Sequence, residues 1–342
     1  MKKLFGTDGI RSKAGVFPLD KDTIKIIGKS LTEQFIEQNE TKPKFITGKD
    51  TRESGSWIEE AFHLGAIATG AKCESAGIIT TPGIAYLTKA HEFDAGIVIS
   101  ASHNPFEDNG IKVFLPTGKK LGRAFEEKIE QDIAKGFNSE ESSQDFSVDA
   151  SKEKEFQQNY IKHLIEEFED LSLANLKIVV DCANGAASNL APNLFENFGA
   201  EVVSINNQPD GKNINKDCGS LHLEKLQGKV ITEKANFGVA FDGDADRSLF
   251  VDDKGELVDG DATLWIMAQH LNSENALNNQ TVIATVMSNI GLELALNSKN
   301  IKLLRTDVGD KYVLQELLNT NSSIGGEQSG HIIFPQRSLV GD

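Results

Sequence analysis

Asp94-Ala95-Gly96-Ile97-Val98-Ile99-Ser100-Ala101-Ser102-His103-Asn104-Pro105 passes from an apolar run into hydroxyls, an imidazole and a turn. The apolar part reads as a strand over 94–100, and Asn104-Pro105 closes it as a turn initiator. A covered strand with polar groups just past its C-terminal end is where α/β folds place ligand sites. Read so, the Ser102 hydroxyl stands exposed on that loop.

Outward from this strand the first 135 or so residues alternate helix and strand. Helices are expected over 23–38, 57–69 and 124–133, and strands over 44–47 and 73–79, a pattern that calls for a largely parallel, covered sheet. Ser, Asn, Glu and Asp crowd 136–151, which reads as a linker. A second stretch offers a helix over 153–169, a buried strand over 177–182, a helix over 192–198 and strands over 201–205 and 237–241. It ends in a hairpin turning at Asp252-Asp253-Lys254-Gly255. The pattern restarts near Asp261: a helix over 262–271, strands over 282–287 and 301–305, a helix over 311–318 and a Gly-rich segment over 324–333. The expected fold is three consecutive α/β domains, 1–150, 151–258 and 259–342, with mixed, mostly parallel sheets.

With 39% hydrophobic and 25% charged residues, the chain has material for real cores and lacks a disordered composition. Its 51 acidic against 35 basic residues give a formal charge of −16, which argues against a nucleic-acid surface. An anionic small substrate would need its own local Arg and Lys. The basic start Met1-Lys2-Lys3 lacks the apolar core of a signal peptide, and no run reaches transmembrane length, so neither a membrane partner nor export is expected. Cys73, Cys182 and Cys218 have no metal-ligand spacing and read as idle thiols of a cytoplasmic protein.

Chemistry concentrates in three places. Asp242-Gly243-Asp244-Ala245-Asp246-Arg247 follows an apolar strand and sets carboxylates at alternate positions. They reach one centre if the chain curls, which Gly243 permits. Three carboxylates so close repel unless a cation joins them, and hard oxygen donors favour Mg²⁺, Mn²⁺ or Ca²⁺. An EF-hand is excluded, since its sixth and twelfth positions would be Arg247 and Asp253 rather than Gly and Glu. A phosphatase with an Asp nucleophile stays open from this loop alone. Ser102 lacks a Gly-x-Ser-x-Gly elbow, so esterase chemistry has no support. A serine, a metal and an arginine together suit phosphoryl transfer. His103 is a base, a phosphate donor or a turn residue, and Lys112 returns a cation to the same region. Gly325-Gly326-Glu327-Gln328-Ser329-Gly330-His331 puts sugar-compatible donors and acceptors between glycines.

Together with Phe5-Gly6-Thr7-Asp8-Gly9-Ile10-Arg11, these motifs make the chain resemble the α-D-phosphohexomutase superfamily. Asp108-Asn109-Gly110-Ile111-Lys112 and Thr306-Asp307-Val308-Gly309-Asp310-Lys311-Tyr312-Val313 favour its glucosamine branch. The resemblance implies a phosphorylated Ser102, which also supplies a metal oxygen, with Asp242, Asp244 and Asp246 as Mg²⁺ ligands. It implies Glu327, Ser329 and Gly326 as sugar-binding, and His331, Lys112, His103 and Arg247 in proton and charge work. Arg11 partners the phosphoserine loop. The implied cleft lies where the serine, metal and sugar loops meet. The implied reaction interconverts glucosamine 6-phosphate and 1-phosphate through a bound 1,6-bisphosphate, in amino-sugar and cell-wall precursor metabolism.

The implied partner is therefore a hexosamine phosphate, with a homodimer left open. Two departures accompany the resemblance. Ser12 stands where a glycine usually follows Ile-Arg, and the sequence ends at Asp342, whereas superfamily members continue into a fourth domain that grips the non-reacting phosphate. A phosphomannomutase or phosphoglucomutase is the nearest alternative. A catalytically idle binder of metal and phosphosugar is the alternative of another class.

Overall fold

The computed structural model describes residues 3–136 and 147–342, so the expected linker falls largely outside the described residues. The chain divides into two compact units, Met1–Glu167 with Pro209–Ile214, and Phe168–Gln208 with Asn215–Asp342.

In the first unit the chain runs β1 (Ile10–Lys13), α1 (Lys21–Asn39), β2 (Lys44–Lys49), α2 (Gly55–Ala68), β3 (Lys72–Ile78), α3 (Thr81–Ala90), β4 (Ala95–Ile99), β5 (Asp108–Phe114), α4 (Arg123–Lys135) and α5 (Glu153–Glu167). The sheet order is β1-β5-β4-β2-β3. β4, β2 and β3 are parallel, β5 is antiparallel to β4, and β1 is antiparallel to β5. All five residues of β4 are buried, as a strand covered on both faces requires. Phe45, Phe62, Ile97, Ile99 and Ile111 belong to the core beneath α1, α2 and α4. The helix α5, read from sequence as opening the second stretch, packs on α3 and β3.

The second unit holds two sheets. The first is built from β6 (Lys177–Asp181), α6 (Leu190–Asn197), β7 (Glu201–Ile205), α7 (Glu224–Glu233), β8 (Phe237–Phe241), β9 (Ser248–Asp252) and β10 (Leu257–Val258), in the order β10-β9-β8-β6-β7. The second follows from α8 (Gly260–Ser273), β11 (Thr281–Thr285), α9 (Ile290–Asn297), β12 (Lys302–Thr306), α10 (Asp310–Thr320), β13 (Gly325–Gly326) and β14 (Ile332–Ile333), in the order β12-β11-β13-β14. Three mixed sheets thus recur along the chain, each with parallel pairs running to one edge and antiparallel pairs toward the other. Short loops after buried parallel strands deliver Ser102 from β4 and Asp242 from β8. No helix among the described residues is long and apolar enough to cross a membrane.

Candidate active site

Ser102 follows the last paired residue of β4, Ile99, in the loop beyond the strand and adopts a left-handed backbone, φ +53°. Contrary to the exposed hydroxyl expected from sequence, Ser102 is buried, 1% accessible. The reason is local: its N–H donates to Ser100 Oγ at 2.8 Å, and its carbonyl accepts from the buried Arg52 guanidinium at 2.9 Å. The loop is thereby folded inward. Ser102 Oγ lies 3.2 Å from His103 Nδ1, a contact in which the histidine tautomer decides the donor.

Arg11 and Lys112 meet at Asp8, a residue given no role of its own from sequence. Asp8 accepts from Arg11 at Oδ2, from Lys112 at 2.9 Å and from Lys120 at Oδ1. β1 pairs with β5 so that Arg11 faces Gly110, which sets Lys112 and Arg11 close in the sheet. One carboxylate thus gathers three cationic side chains, and Lys112, nearly fully buried, holds its ion pair at low dielectric.

In the second unit, Asp242, Asp244 and Asp246 are all buried, with one carboxylate oxygen from each lying within 4.8 Å of the others. The curl that gathers them is at Ala245, φ +55°, whose N–H closes a turn onto the Asp242 carbonyl at 3.1 Å. Gly243, expected to provide it, instead offers its carbonyl to the Ala186 N–H at 2.8 Å. This supports the loop from below. A Cβ on Gly185 would sit 2.4 Å from that same carbonyl oxygen, so only glycine lets the 183–186 loop approach. Arg247 donates its backbone N–H to Asp242 Oδ1 at 3.3 Å. Burial alone would pull its guanidinium pKa down, but the carboxylates of Asp242, Asp246, Glu327 and Asp244 outweigh it and push it up. The cation is permanent. Three buried carboxylates with an oxygen each within 4.8 Å of the others make an all-oxygen set that fits a hard divalent ion.

The 326–331 hairpin reaches the same neighbourhood of the second unit. Ser248, the first residue of β9, donates its N–H to Gly330 O at 3.1 Å, and a Cβ at Gly330 would lie 2.3 Å from the Ser248 carbonyl. Gly326 pairs with Ile332 across β13 and β14, and Ser329 is half-buried at the tip. Glu327 is buried, its Oε1 accepting from the Gly309 N–H at 3.1 Å. His331 Nε2 accepts from the Gly341 N–H at 3.3 Å, which leaves the ring proton on Nδ1, the nitrogen 3.8 Å from Asp246. Asp310 stands 3.9 Å from Nε2. The 306–313 stretch, read from sequence only as a branch marker, therefore borders this site.

Models of the phosphoglucomutase/phosphomannomutase α/β/α domains I, II and III match residues 2–140, 158–255 and 259–342 in that order. Phosphoglucosamine mutase of Solibacter usitatus is 47% identical over 341 residues, covering all of this chain and 76% of the relative. The chain belongs to the phosphoglucomutase/phosphomannomutase family. Phosphoglucosamine mutase of Caldicellulosiruptor bescii is 48% identical over 343 residues, with the same coverage. Among solved structures, a phosphoglucomutase/phosphomannomutase family protein of Burkholderia thailandensis superposes with TM-score 0.82 at 26% identity, over 100% of this chain and 74% of that one. N-acetylphosphoglucosamine mutase of Aspergillus fumigatus shares the fold at TM-score 0.64 and 18% identity, over 99% and 74%.

Within this family member, sequence reading missed Asp8 as a charge hub, Asp310 beside His331, and Asp50 and Arg52 beneath the serine loop. The last pair had a signal: Asp50-Thr51-Arg52 is separated by two residues from the expected strand 44–47, which in the structure runs on as β2 to Lys49, at the end where ligand loops gather.

Proposed function

We propose that this chain interconverts glucosamine 6-phosphate and glucosamine 1-phosphate, with Ser102 as phosphoryl carrier and a 1,6-bisphosphate turning over between two transfers. The observation that carries the reading is 47% identity over 341 residues to a phosphoglucosamine mutase. In the first transfer the bond from Ser102 Oγ to phosphorus breaks as a sugar oxygen bonds to it, and the sugar hydroxyl proton passes to a base. The reverse transfer returns the phosphoryl group to Oγ. His103, beside Oγ, accepts or returns the seryl proton, and Arg11 and Lys112 offset phosphoryl charge. Glu327, Ser329 and the Gly326 backbone hold sugar hydroxyls, His331 handles the proton at the sugar, and Arg247 steadies the acidic loop. Asp242, Asp244 and Asp246 would hold Mg²⁺, which when bound neutralises phosphoryl oxygens.

Coupled assays with glucosamine, mannose and glucose 6-phosphates test the substrate, and preference for mannose or glucose would overturn it. Incubation with a hexose 1,6-bisphosphate should make the Ser102 peptide one phosphate heavier in wild type and not in Ser102→Ala. Label without turnover would favour the idle-binder reading. Asp244→Asn should weaken Mg²⁺ binding by calorimetry while the far-UV spectrum stays native, because one of three anionic donors becomes neutral. Unchanged affinity would remove the three-aspartate site. We further infer a cytoplasmic setting, consistent with Cys73, Cys182 and Cys218, all free and buried, their thiols pushed by burial up to about 12.

A further inference from the structure

Arg52 lies in the loop between β2 and α2, its side chain fully buried and its donors all directed within one region. Nε donates to Asp50 Oδ2 at 2.9 Å, and the Arg52 backbone N–H to Asp50 Oδ1 at 3.0 Å. Nη2 donates to the carbonyls of Ser102 and Asn104, both at 2.9 Å, and Nη1 to that of Pro105. From the other side, Ser100 Oγ donates to Asp50 Oδ2 at 2.6 Å and accepts the Ser102 N–H at 2.8 Å. Ser102 is therefore held at both its N–H and its C=O, in a backbone region that L-residues adopt only under constraint. β2 and β4 are parallel neighbours with Lys49 opposite Ile99, so the loops that follow them emerge side by side and the guanidinium spans the gap.

We propose that Arg52, set by Asp50, is a positioning residue that fixes Ser102 Oγ for phosphoryl transfer; the proposal rests on the phosphoserine reading above. A planar fork of five N–H donors matches three carbonyls and a carboxylate at once, a set that a lysine ammonium cannot span. The Asp50 carboxylate neutralises the guanidinium locally, so the clamp orients the loop without competing for phosphoryl charge. Ser102 Oγ must meet phosphorus in line as the bond from phosphorus to the sugar oxygen breaks; the seryl proton leaves to a base and the departing sugar oxygen gains one. Misplacement of about 1 Å in such a step costs on the order of a hundredfold in rate.

The test follows labelling of Ser102 by glucose 1,6-bisphosphate, reading rate and final amplitude separately in wild type, Arg52→Lys and Ser100→Ala, with thermal melts alongside. Ser100→Ala cuts only the link from Asp50 to the Ser102 N–H and guards against a failure of Arg52→Lys to fold. The expected result is full final labelling at a rate lowered roughly ten- to a hundredfold in Arg52→Lys, and by a smaller factor in Ser100→Ala. Wild-type rates in both folded variants would overturn the clamp. So would reduced amplitude at an unchanged rate, since that marks Arg52 as holding the fold alone. Absence of label on wild type would instead overturn the phosphoserine reading, and the clamp with it.

Discussion

A single backbone angle at Ser102 sets two opposing demands on one residue. At φ +53° a side-chain-bearing residue carries strain of about 1–2 kcal/mol that glycine does not. The loop tolerates this because Ser100 and Arg52 hold the peptide groups on either side. Replacing Ser102 by alanine removes the acceptor oxygen and keeps the strain; replacing it by glycine removes both. Ser102→Gly should therefore be more stable than Ser102→Ala by about 1 kcal/mol in urea unfolding, although neither accepts phosphate. An alanine variant as stable as the glycine one would mean that the left-handed conformation is not imposed on the folded loop.

Strands and loops that carry the site differ in how far sequence exposes them. The apolar runs of β4, β6, β8 and β11 were legible because strands buried on both faces leave little choice of residue. The 237–241 and 201–205 strands match the structure residue for residue. Helix α3 escaped because Thr81-Pro82-Gly83 looks like a breaker, whereas Thr80 caps that end and Pro82 sits in the first turn. α7 and α9 were missed, and α9 is apolar nearly throughout, which hides its period. The three aspartates were legible by spacing. What curls them was not, since that depends on Ala245 and on tertiary support from the 183–186 loop, a contact with no local signature. Gly185→Ala tests that support. Its Cβ would meet backbone rather than a pliable side chain, so the metal loop must shift, at a cost of about 1–3 kcal/mol and with weaker Mg²⁺ binding by calorimetry. Gly228→Ala in α7, where an added Cβ meets nothing within 4 Å, is the control and should stabilise by up to about 1 kcal/mol. Equal effects from the two would show that the loop contact carries no weight.

At the scale of the whole molecule, the two units carry buried titrations of opposite sign. In the first, desolvation holds the fully buried His63 imidazole down at about 4, against an upward pull from Glu59 and a further downward push from Lys49. Thr47 Oγ1 lies 2.9 Å from its Nε2 and donates to Glu59 at 2.6 Å, so the neutral ring belongs to a built network. Between pH 6.5 and 4 the unfolded chain binds a proton that the native ring refuses, so stability present above that window is lost as pH falls, by up to about 3 kcal/mol across it. In the second unit, desolvation raises the buried Asp181 carboxyl despite N–H donation from Ala183 and Gly219. The native state there binds its proton at higher pH than the unfolded chain does, so acidification favours folding through this group. Each unit has its own tryptophan, Trp57 in α2 and Trp265 in α8, and the chain has no others. Trp265→Phe therefore isolates the first unit's fluorescence and Trp57→Phe the second's. On going from pH 7 to pH 5, the urea midpoint seen through Trp57 should fall by more than that seen through Trp265, and His63→Gln should shrink the difference. Equal shifts from the two probes, or a larger fall at Trp265, would show that His63 does not set the acid sensitivity of its unit.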